Sequence, residues 1–242
     1  MASITGIFTT LAIATVVGHS VEGRPIRAIH VAGPGPRVLV VGCIHGNECA
    51  GLPVVAALRQ AHPREDLWLV PTLNPDGLAH GTRQNAHGVD LNRAFPSGRE
   101  PEVRAAVALI RRLRPDVTIW FHQHQDLVRA WGRSQAIAQR YAHLAGMRYA
   151  RLEWPTGAAT SWQNRVLGER SFVVELPAGS LDRAGVGRQV RACLRIALAA
   201  PEFQPAPRAL PRPVTPFHRR TAAPAALRLT HPSEGKTGGG RW

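Results

Sequence analysis

The stretch "VLVVGCIHGNECAG", residues 38–51, joins a continuous apolar run to a cluster of polar side chains. Short apolar runs rich in β-branched residues are typical of strands buried on both faces, so we predict a strand over 37–42. The run gives way to His45 and Glu48. The question is whether these side chains belong to a metal site, to a thiol site with the neighbouring cysteines, or to an ordinary turn.

Further apolar runs alternate with helical patterns along the chain. This alternation predicts an α/β fold with a largely parallel sheet covered by helices on both faces. Residues 14–33 predict a β-hairpin, "TLNPDG" (72–77) a turn, and 78–99 a long loop of functional type. The predicted strands are 37–42, 66–71, 117–121 and 171–175, and the predicted helices are 49–62, 101–113, 135–144 and 181–198.

The apolar segment over residues 7–17 allows two interpretations. Ala12-Ile13-Ala14 resembles a cleavage site, but no Lys or Arg precedes it, so a secretory signal would lack its positive region. We favour a hairpin arm and a cytoplasmic location, with export as the alternative. No apolar run reaches the ~18 residues that a membrane-spanning helix needs, so we predict no membrane span.

The formal net charge of +14 raises the hypothesis of a nucleic-acid partner. Only Lys236 among the 30 basic residues is lysine, and the arginines are scattered without forming a basic stripe. We therefore expect no nucleic-acid partner. From Pro201 the chain is rich in proline and arginine, which predicts a folded domain over 1–200 and a disordered tail over 201–242. We expect a solvated extension there, with contact to an anionic surface as the alternative.

His-x-x-Glu alone is weak evidence for a metal, because this chain contains it four times. Three of the four pairs fall in a predicted hairpin turn, in a helix-to-strand loop and in the tail. Only His45 and Glu48 follow the carboxyl end of a predicted buried strand. Ligands of open α/β sheets bind at that edge, so context favours this pair.

Two other predicted strands end in similar chemistry, since "VTIWF" continues into His122 and "SFVVE" closes on Glu175. A carboxylate at the end of a buried strand is costly unless it has a partner or a purpose. Two imidazoles and one carboxylate bind Zn²⁺ and leave the fourth position to water, and a second glutamate can then act as general base. We therefore predict His45, Glu48 and His122 as ligands and Glu175 as the base.

Other ligands remain open at this point. His124 lies two residues beyond His122 and is the less favoured histidine. Cys43 and Cys49 could bind a metal as thiolates, but we expect them in strand packing and at the helix start. Three cysteines without regular spacing argue against a disulfide framework, and Cys193 is expected to be a small buried residue.

Five motifs occur together in one order. They are "HGNE" (45–48), "NPDG" (74–77), "GTRQNAHGVDLNRAFP" (81–96), "IWFHQ" (119–123) and "VVELPAG" (173–179). Together they resemble the zinc carboxypeptidase family over about residues 18–199, and most of all its short bacterial members of the murein peptide amidase type. The resemblance implies a three-layer α/β/α fold with a mostly parallel mixed sheet, a catalytic domain over 1–200 and one Zn²⁺ per chain.

The functional residues of that family match positions in these motifs. They are the zinc ligands His45, Glu48 and His122, the general base Glu175, the carboxylate-binding pair Asn92 and Arg93, and the oxyanion-stabilising Arg83. A guanidinium holds a carboxylate through a planar fork, and a fixed cation beside a polarised carbonyl favours the transition state. Asp90 is expected to orient this loop, and most other arginines are expected to be surface residues.

The chain departs from the family pattern after "NRAFP", where a longer loop is missing, and in its tyrosines. Tyr149 is the nearest tyrosine before Glu175, and Trp162 and Thr160 are candidates to line the pocket instead. The resemblance implies a zinc-dependent hydrolase of an amide beside a free carboxylate, acting on a small peptide of bacterial cell-wall type. The alternatives are an N-acyl amino acid deacylase of the succinylglutamate desuccinylase or aspartoacylase type, and a non-catalytic protein that binds anionic polymers.

Overall fold

The computed structural model describes residues 12–196, and at its centre lies a sheet of eight strands. The apolar runs form its buried middle, because every residue of the third, fourth and fifth strands up to His122 is buried. The strands are β1 (Ala12–His19), β2 (Pro25–Val31), β3 (Arg37–Val41), β4 (Asp66–Val70), β5 (Val117–Gln123), β6 (Leu127–Ala130), β7 (Arg148–Arg151) and β8 (Arg170–Leu176).

The strands lie in the order β1-β2-β4-β3-β5-β8-β6-β7. β3 pairs in parallel with β4 and β5, β5 with β8, and β6 with β7. The pairs β1–β2, β2–β4 and β6–β8 are antiparallel. The carboxyl ends of β3, β5 and β8 therefore meet at one edge of the sheet, which we call the carboxyl edge.

Helices cover both faces and give the predicted three layers. One apolar cluster joins the sheet to the first, fourth and sixth helices, and the other joins it to the third and fifth. The helices are α1 (Leu52–Leu58), α2 (Pro75–His80), α3 (Pro101–Leu113), α4 (Gln135–Ala145), α5 (Ala159–Trp162) and α6 (Arg183–Arg195). The predicted fold class is confirmed.

Some elements differ from the sequence prediction. The hairpin and α3 are confirmed, but the predicted turn in "TLNPDG" leads into α2, because the Asn74 side chain caps it by accepting from the Gly77 amide at 2.8 Å. α1 is shorter than predicted because its first turn starts after Gly51, with Pro53 in it. Nothing in the sequence predicted β6, whose four residues are too few to show a period.

Two predictions concern residues that lie partly or wholly outside the described part. The predicted tail over 201–242 and the first eleven residues are not among residues 12–196. Between residues 12 and 196, no helix is long and apolar enough to cross a membrane.

Candidate metal centre and active site

His45, Glu48 and His122 meet at the carboxyl edge. Oε2 of Glu48 lies 3.0 Å from Nδ1 of His45 and 3.1 Å from Nδ1 of His122. The candidate ligand atoms of the three residues all lie within 4.8 Å of one another. Two imidazole nitrogens and one carboxylate are a donor set that Zn²⁺ accepts, so the three side chains are positioned for a metal site.

The backbone explains why these side chains converge. Val41 at the end of β3 pairs with Trp120, two residues before His122 on β5. The chain then turns tightly after β3, and Gly46 packs against α2 so closely that a Cβ there would lie 1.9 Å from the Gly77 carbonyl carbon. A glycine between the two ligands of the "HGNE" motif therefore lets the turn approach α2.

The electrostatics of the cluster suit a divalent cation. Burial lowers the pKa of His122 to about 4, so its ring is neutral at pH 7 and can donate a lone pair. Burial alone would raise the pKa of Glu48, but hydrogen bonds from His122 and His45 hold it well below its usual value. For His45, the opposing effect of burial is outweighed by Asp90 and Glu48, which raise its pKa. Two carboxylates thus contact the imidazoles, an arrangement that favours a bound cation.

Asp90 contacts His45 on the side of the ring away from Glu48. Its Oδ1 lies 2.9 Å from Nε2 of His45 and accepts from the Asn92 amide, also at 2.9 Å. A carboxylate on the far nitrogen keeps the proton there and leaves Nδ1 free for a metal. Asp90 therefore orients a candidate ligand as well as its own loop, a contact that the sequence alone did not indicate.

Arg83 lies at the rim of the cluster with its side chain 34% exposed. Its guanidinium donates to Oε1 of Glu48 and, from Nε and Nη2 at 3.2 and 3.1 Å, to Oδ2 of Asp90. An arginine carries five N–H donors, so these three contacts leave donors for a substrate oxygen. The loop over 78–99 thus places Arg83 beside the candidate ligands.

Asn92 and Arg93 are close to the cluster but differ in their burial. Asn92 is buried, with Nδ2 3.4 Å from Nε2 of His122 and Oδ1 accepting from the Ala159 amide at 3.0 Å. Arg93 is exposed and donates from Nη1 to the Asn92 carbonyl oxygen at 2.9 Å. Of the predicted pair, Arg93 is therefore the side chain with more room to contact a ligand.

Glu175 is buried at the end of β8, directly beside His122 in the sheet register. Burial, together with the negative charge of Glu48, raises its pKa to about 7, and Arg129, His45 and His124 offset this only in part. Its Oε2 has no hydrogen-bond partner within the described residues. A carboxylate with a pKa near 7 and a free oxygen has the properties of a general base.

The sequence prediction did not include two side chains that lie near Glu175 and His122. Nη1 of Arg129 lies 3.9 Å from Oε1 of Glu175, and its guanidinium carbon lies 4.1 Å from the centroid of the Trp154 ring. Trp154 in turn stacks on His122, with ring centroids 5.6 Å apart. Arg129 is an exception to the expectation that most other arginines lie on the surface, because its position follows from the pairing of β6 with β8 and no local pattern encodes that pairing.

The two candidates for lining the pocket in place of a tyrosine have different surroundings. Trp162 packs in the apolar core, 5.8 Å from the Phe95 ring between centroids. The Thr160 hydroxyl is buried without a hydrogen-bond partner in residues 12–196, next to the Ala159 amide that holds Asn92. Tyr149 lies on β7 and donates to the Ala130 carbonyl oxygen at 3.4 Å.

The cysteines beside the ligands are joined to each other. Cys43 and Cys49 form a disulfide, so neither offers a thiolate to a metal, and the expectation of no disulfide is wrong for this pair. The turn that carries His45 and Glu48 brings the two cysteines together, with Cα atoms 4.9 Å apart. Cys193 is free and buried, as predicted.

Comparison with known proteins agrees with this geometry. The model of the zinc carboxypeptidase family matches residues 8–151, more than half of the chain. The chain belongs to the zinc carboxypeptidase family. The matched residues include the cluster around His45 and end before Glu175, whose place in the site therefore comes from β8.

Relatives with known names cover part of this zinc carboxypeptidase chain. Murein peptide amidase A of Vibrio campbellii is 29% identical over 160 residues, which cover 49% of this chain and 64% of that protein. Carboxypeptidase D of Rattus norvegicus is 31% identical over 158 residues, which cover 40% of this chain and 12% of that protein. The chain thus spans less than two thirds of the length of either relative.

Solved structures share the fold. The murein-tripeptide amidase from Escherichia coli O157 superposes with a TM-score of 0.65 at 24% identity, covering 78% of this chain and 93% of that one. Carboxypeptidase A from Helicoverpa armigera superposes with a TM-score of 0.67 at 19% identity, covering 81% and 70%. The predicted zinc carboxypeptidase-like mixed sheet is therefore the fold of this chain.

Proposed function

We propose that this protein is a zinc-dependent hydrolase that cleaves an amide bond beside a residue with a free carboxylate. The observation that carries the proposal is the buried Glu175 carboxyl, whose Oε2 has no hydrogen-bond partner among the described residues, at the same sheet edge as the His45, Glu48 and His122 cluster. The peptidase names of the relatives favour a peptide substrate over the deacylase and the binding-protein alternatives. The two amidase relatives, from Vibrio campbellii and Escherichia coli, support a small peptide of bacterial cell-wall type.

His45, Glu48 and His122 would hold one zinc ion per chain. When bound, zinc supplies a Lewis acid that acidifies a water molecule and polarises a carbonyl group. Glu175 takes a proton from the attacking water and delivers it to the leaving amine as the C–N bond breaks.

Two arginines act on the substrate in this proposal. Arg83 places a fixed positive charge beside the carbonyl oxygen as negative charge develops there. Arg93, with Asn92, holds the free carboxylate of the leaving residue. Both arginines lie on the loop that also carries Asp90, and Asp90 contacts His45 and accepts two hydrogen bonds from Arg83.

Glu175→Gln tests the reaction directly. Glutamine keeps the shape of the side chain but cannot accept the proton, so kcat should fall at least ~10²-fold while zinc content and substrate binding are retained. Glu65→Gln is a matched control, because Glu65 is another buried carboxyl whose pKa burial raises to about 7, at the amino end of β4. Near wild-type turnover by Glu175→Gln would exclude Glu175 as the base.

Arg93→Ala tests the recognition of the free carboxylate. Catalysis should be weakened far more for substrates with a free carboxylate than for their amidated analogues, since charge-assisted hydrogen bonds of about 1.5–3 kcal/mol each are lost. The comparison should include muropeptides, C-terminal dipeptides and N-acyl amino acids as substrates of the zinc-loaded protein. Equal losses on free and amidated substrates would remove Arg93 from substrate binding.

A further inference from the structure

We propose that Cys43 and Cys49 are a reversible thiol–disulfide modification site that controls how tightly the cluster binds zinc. The disulfide holds the turn with its metal ligands in place, and reduction by a dithiol, a molecule with two thiol groups, weakens metal binding. The inference rests on the zinc site of the proposed function. It concerns two side chains that the proposed reaction does not use.

The disulfide encloses two of the three candidate ligands. Cys43 follows β3 and Cys49 precedes α1, so the bond between them closes a ring that contains His45 and Glu48. Sγ of Cys43 lies 3.1 Å and Sγ of Cys49 lies 3.4 Å from the carbonyl oxygen of His45. A cross-link over so short a segment restricts the conformations open to it. The bond therefore limits the positions that the two ligand side chains can take.

The segment inside the ring has no regular structure of its own. Residues 44–48 form neither helix nor strand, and the Glu48 amide donates to the His45 carbonyl oxygen at 3.0 Å within a turn. Before the segment, the carbonyl oxygen of Cys43 accepts from the Leu73 amide at 2.8 Å. The turn is thus fixed to the loop after β4 at its Cys43 end, and the disulfide connects its other end to that fixed point.

Reduction must move the two sulfur atoms apart. Bonded sulfurs are about 2.05 Å apart, whereas atoms that are not bonded pack at about 3.5–4.0 Å. Cys43 is fully buried, and the backbone beside it is tightly packed, since a Cβ on Gly42 would lie 2.7 Å from the Pro71 carbonyl oxygen. The sulfur of Cys43 therefore has little room to move. The displacement falls on the less buried Cys49 and on its neighbour Glu48.

A displacement of Glu48 disturbs both imidazole contacts at once. Its Oε2 lies 3.0 Å from Nδ1 of His45 and 3.1 Å from Nδ1 of His122. Metal–ligand distances tolerate changes of only about 0.2 Å, and the sulfurs must separate by about 1.5 Å. Reduction should therefore lower the zinc affinity by 10-fold or more.

The modification is a two-step exchange with a dithiol. Cys49 is partly exposed, so a dithiol can reach its Sγ. One thiolate of the dithiol bonds to this sulfur while the Cys43–Cys49 bond breaks, and the Cys43 sulfur keeps the electron pair and takes up a proton. The second thiol of the reagent then closes its own disulfide and releases Cys49 as a thiol. Two electrons and two protons pass to the pair, and a small disulfide reverses the reaction.

Cys193 provides the matched control. It is the third cysteine of the chain, it is fully buried on α6, and burial raises the pKa of its thiol to about 12. The thiolate is the reactive form in exchange, so Cys193 is inert at neutral pH. Cys193→Ser should therefore keep every redox response of the wild-type protein.

The test measures the zinc dissociation constant of the full chain by competition with a chelating dye. The protein is compared in its oxidised form and after reduction with dithiothreitol, which is removed without oxygen before zinc is added because thiols bind zinc. The reduced wild-type protein and reduced Cys193→Ser should bind zinc at least 10-fold more weakly, and glutathione disulfide should restore the affinity. Cys43→Ala/Cys49→Ala should show one affinity under all treatments.

Three results would overturn the proposal. The first is equal zinc affinity in the oxidised and reduced wild-type protein. The second is tighter binding after reduction, which would make the thiols metal ligands. The third is alkylation of all three cysteines in the denatured protein before any reduction, where the disulfide predicts one alkylated cysteine before reduction and three after it.

Hydrogen exchange of the zinc-free protein tests the turn without metal or substrate. The amides of residues 44–48 should exchange faster in the reduced wild-type protein than in the oxidised one, and unchanged exchange would contradict the proposal. Zinc affinity that depends on reduction, without cleavage of any peptide, would refute the proposed reaction and support this site. Cleavage by a protein that binds zinc equally in both forms would support the reaction and refute this site.

Discussion

At the scale of single residues, the site pairs each imidazole with a carboxylate. Asp90 accepts a hydrogen bond from His45, and Arg83 bridges Asp90 and Glu48. A similar trio lies at the opposite end of the sheet, where Asp66 contacts His30 at 2.5 Å and Arg37 at 2.6 Å. The two trios have the same residue types. The candidate site differs from the second trio because Glu48 and His122 also lie beside His45.

Asp90→Asn should weaken zinc binding about 10- to 100-fold, because an amide no longer fixes the His45 tautomer or raises the basicity of its ring. The measurement is the dissociation constant for zinc by competition with a chelating dye. Asp66→Asn makes the same change in the second trio and should leave that constant unchanged. Equal zinc affinity in Asp90→Asn and the wild-type protein would contradict the role of Asp90.

Glu65→Gln should stabilise the protein above neutral pH. Burial raises the pKa of Glu65 from 4.5 to about 7, so the folded state holds a proton that the unfolded chain releases at lower pH. The resulting loss of folding stability is absent below pH 4.5. It grows as the pH rises to about 7, where it reaches on the order of 1–3 kcal/mol.

Urea unfolding of both proteins at pH 4 and pH 8 measures this difference. The variant should gain stability relative to the wild-type protein at pH 8 and much less at pH 4. A variant that is no more stable at pH 8 would show that the Glu65 carboxylate is stabilised as an anion in the fold.

At the scale of elements, strand ends and caps determine where the side chains of the candidate site lie. β3, β5 and β8 run in parallel, so their following residues meet at the carboxyl edge. The N-cap of α2 also contacts the loop that carries Arg83, since Nδ2 of Asn74 donates to the Arg83 carbonyl oxygen at 3.3 Å. Asn74 thus both caps α2 and contacts the loop that carries Arg83.

Asn74→Ala should lower the free energy of unfolding by about 0.5–2 kcal/mol through loss of the cap, and should also reduce kcat/KM because the Arg83 loop loses a contact. Asp182→Ala is the control, since Asp182 caps α6 by accepting from the Gly185 amide at 2.6 Å. It should cost similar stability and leave kcat/KM unchanged. Equal effects of both variants on kcat/KM would show that Asn74 acts through stability alone.

At the scale of the whole molecule, the candidate metal site is formed by segments that are distant in sequence. His45 and Glu48 follow β3, Asp90 lies in the long loop, and His122 ends β5. A ligand that binds only the folded state stabilises that state by about 4 kcal/mol when its free concentration is a thousand times its dissociation constant.

Removal of zinc by a chelator should therefore lower the Tm, and returning about one equivalent of zinc should restore it. His122→Ala should bind little zinc and show no response to the chelator. His124→Ala is the control and should behave like the wild-type protein. A site emptied by His124→Ala but not by His122→Ala would reverse the ligand assignment.

The sequence by itself determined the α/β class and the buried strands, and it predicted residues 45, 48, 122 and 175 as a set. Apolar runs and strand-end polar residues are local patterns, and parallel strands bring their carboxyl ends to one edge whatever their order. The five motifs then indicated the family that the comparison confirms.

Only the tertiary structure decided which residues surround the four predicted site residues. The contact of Asp90 with His45 depends on how a loop without a period folds back, and the Cys43–Cys49 bond depends on a tight turn. Arg129 is one of many arginines, and it reaches Glu175 only because β6 pairs antiparallel with β8. Strand pairing and loop packing join residues far apart in the chain, and the energy of those contacts has no counterpart in local sequence patterns.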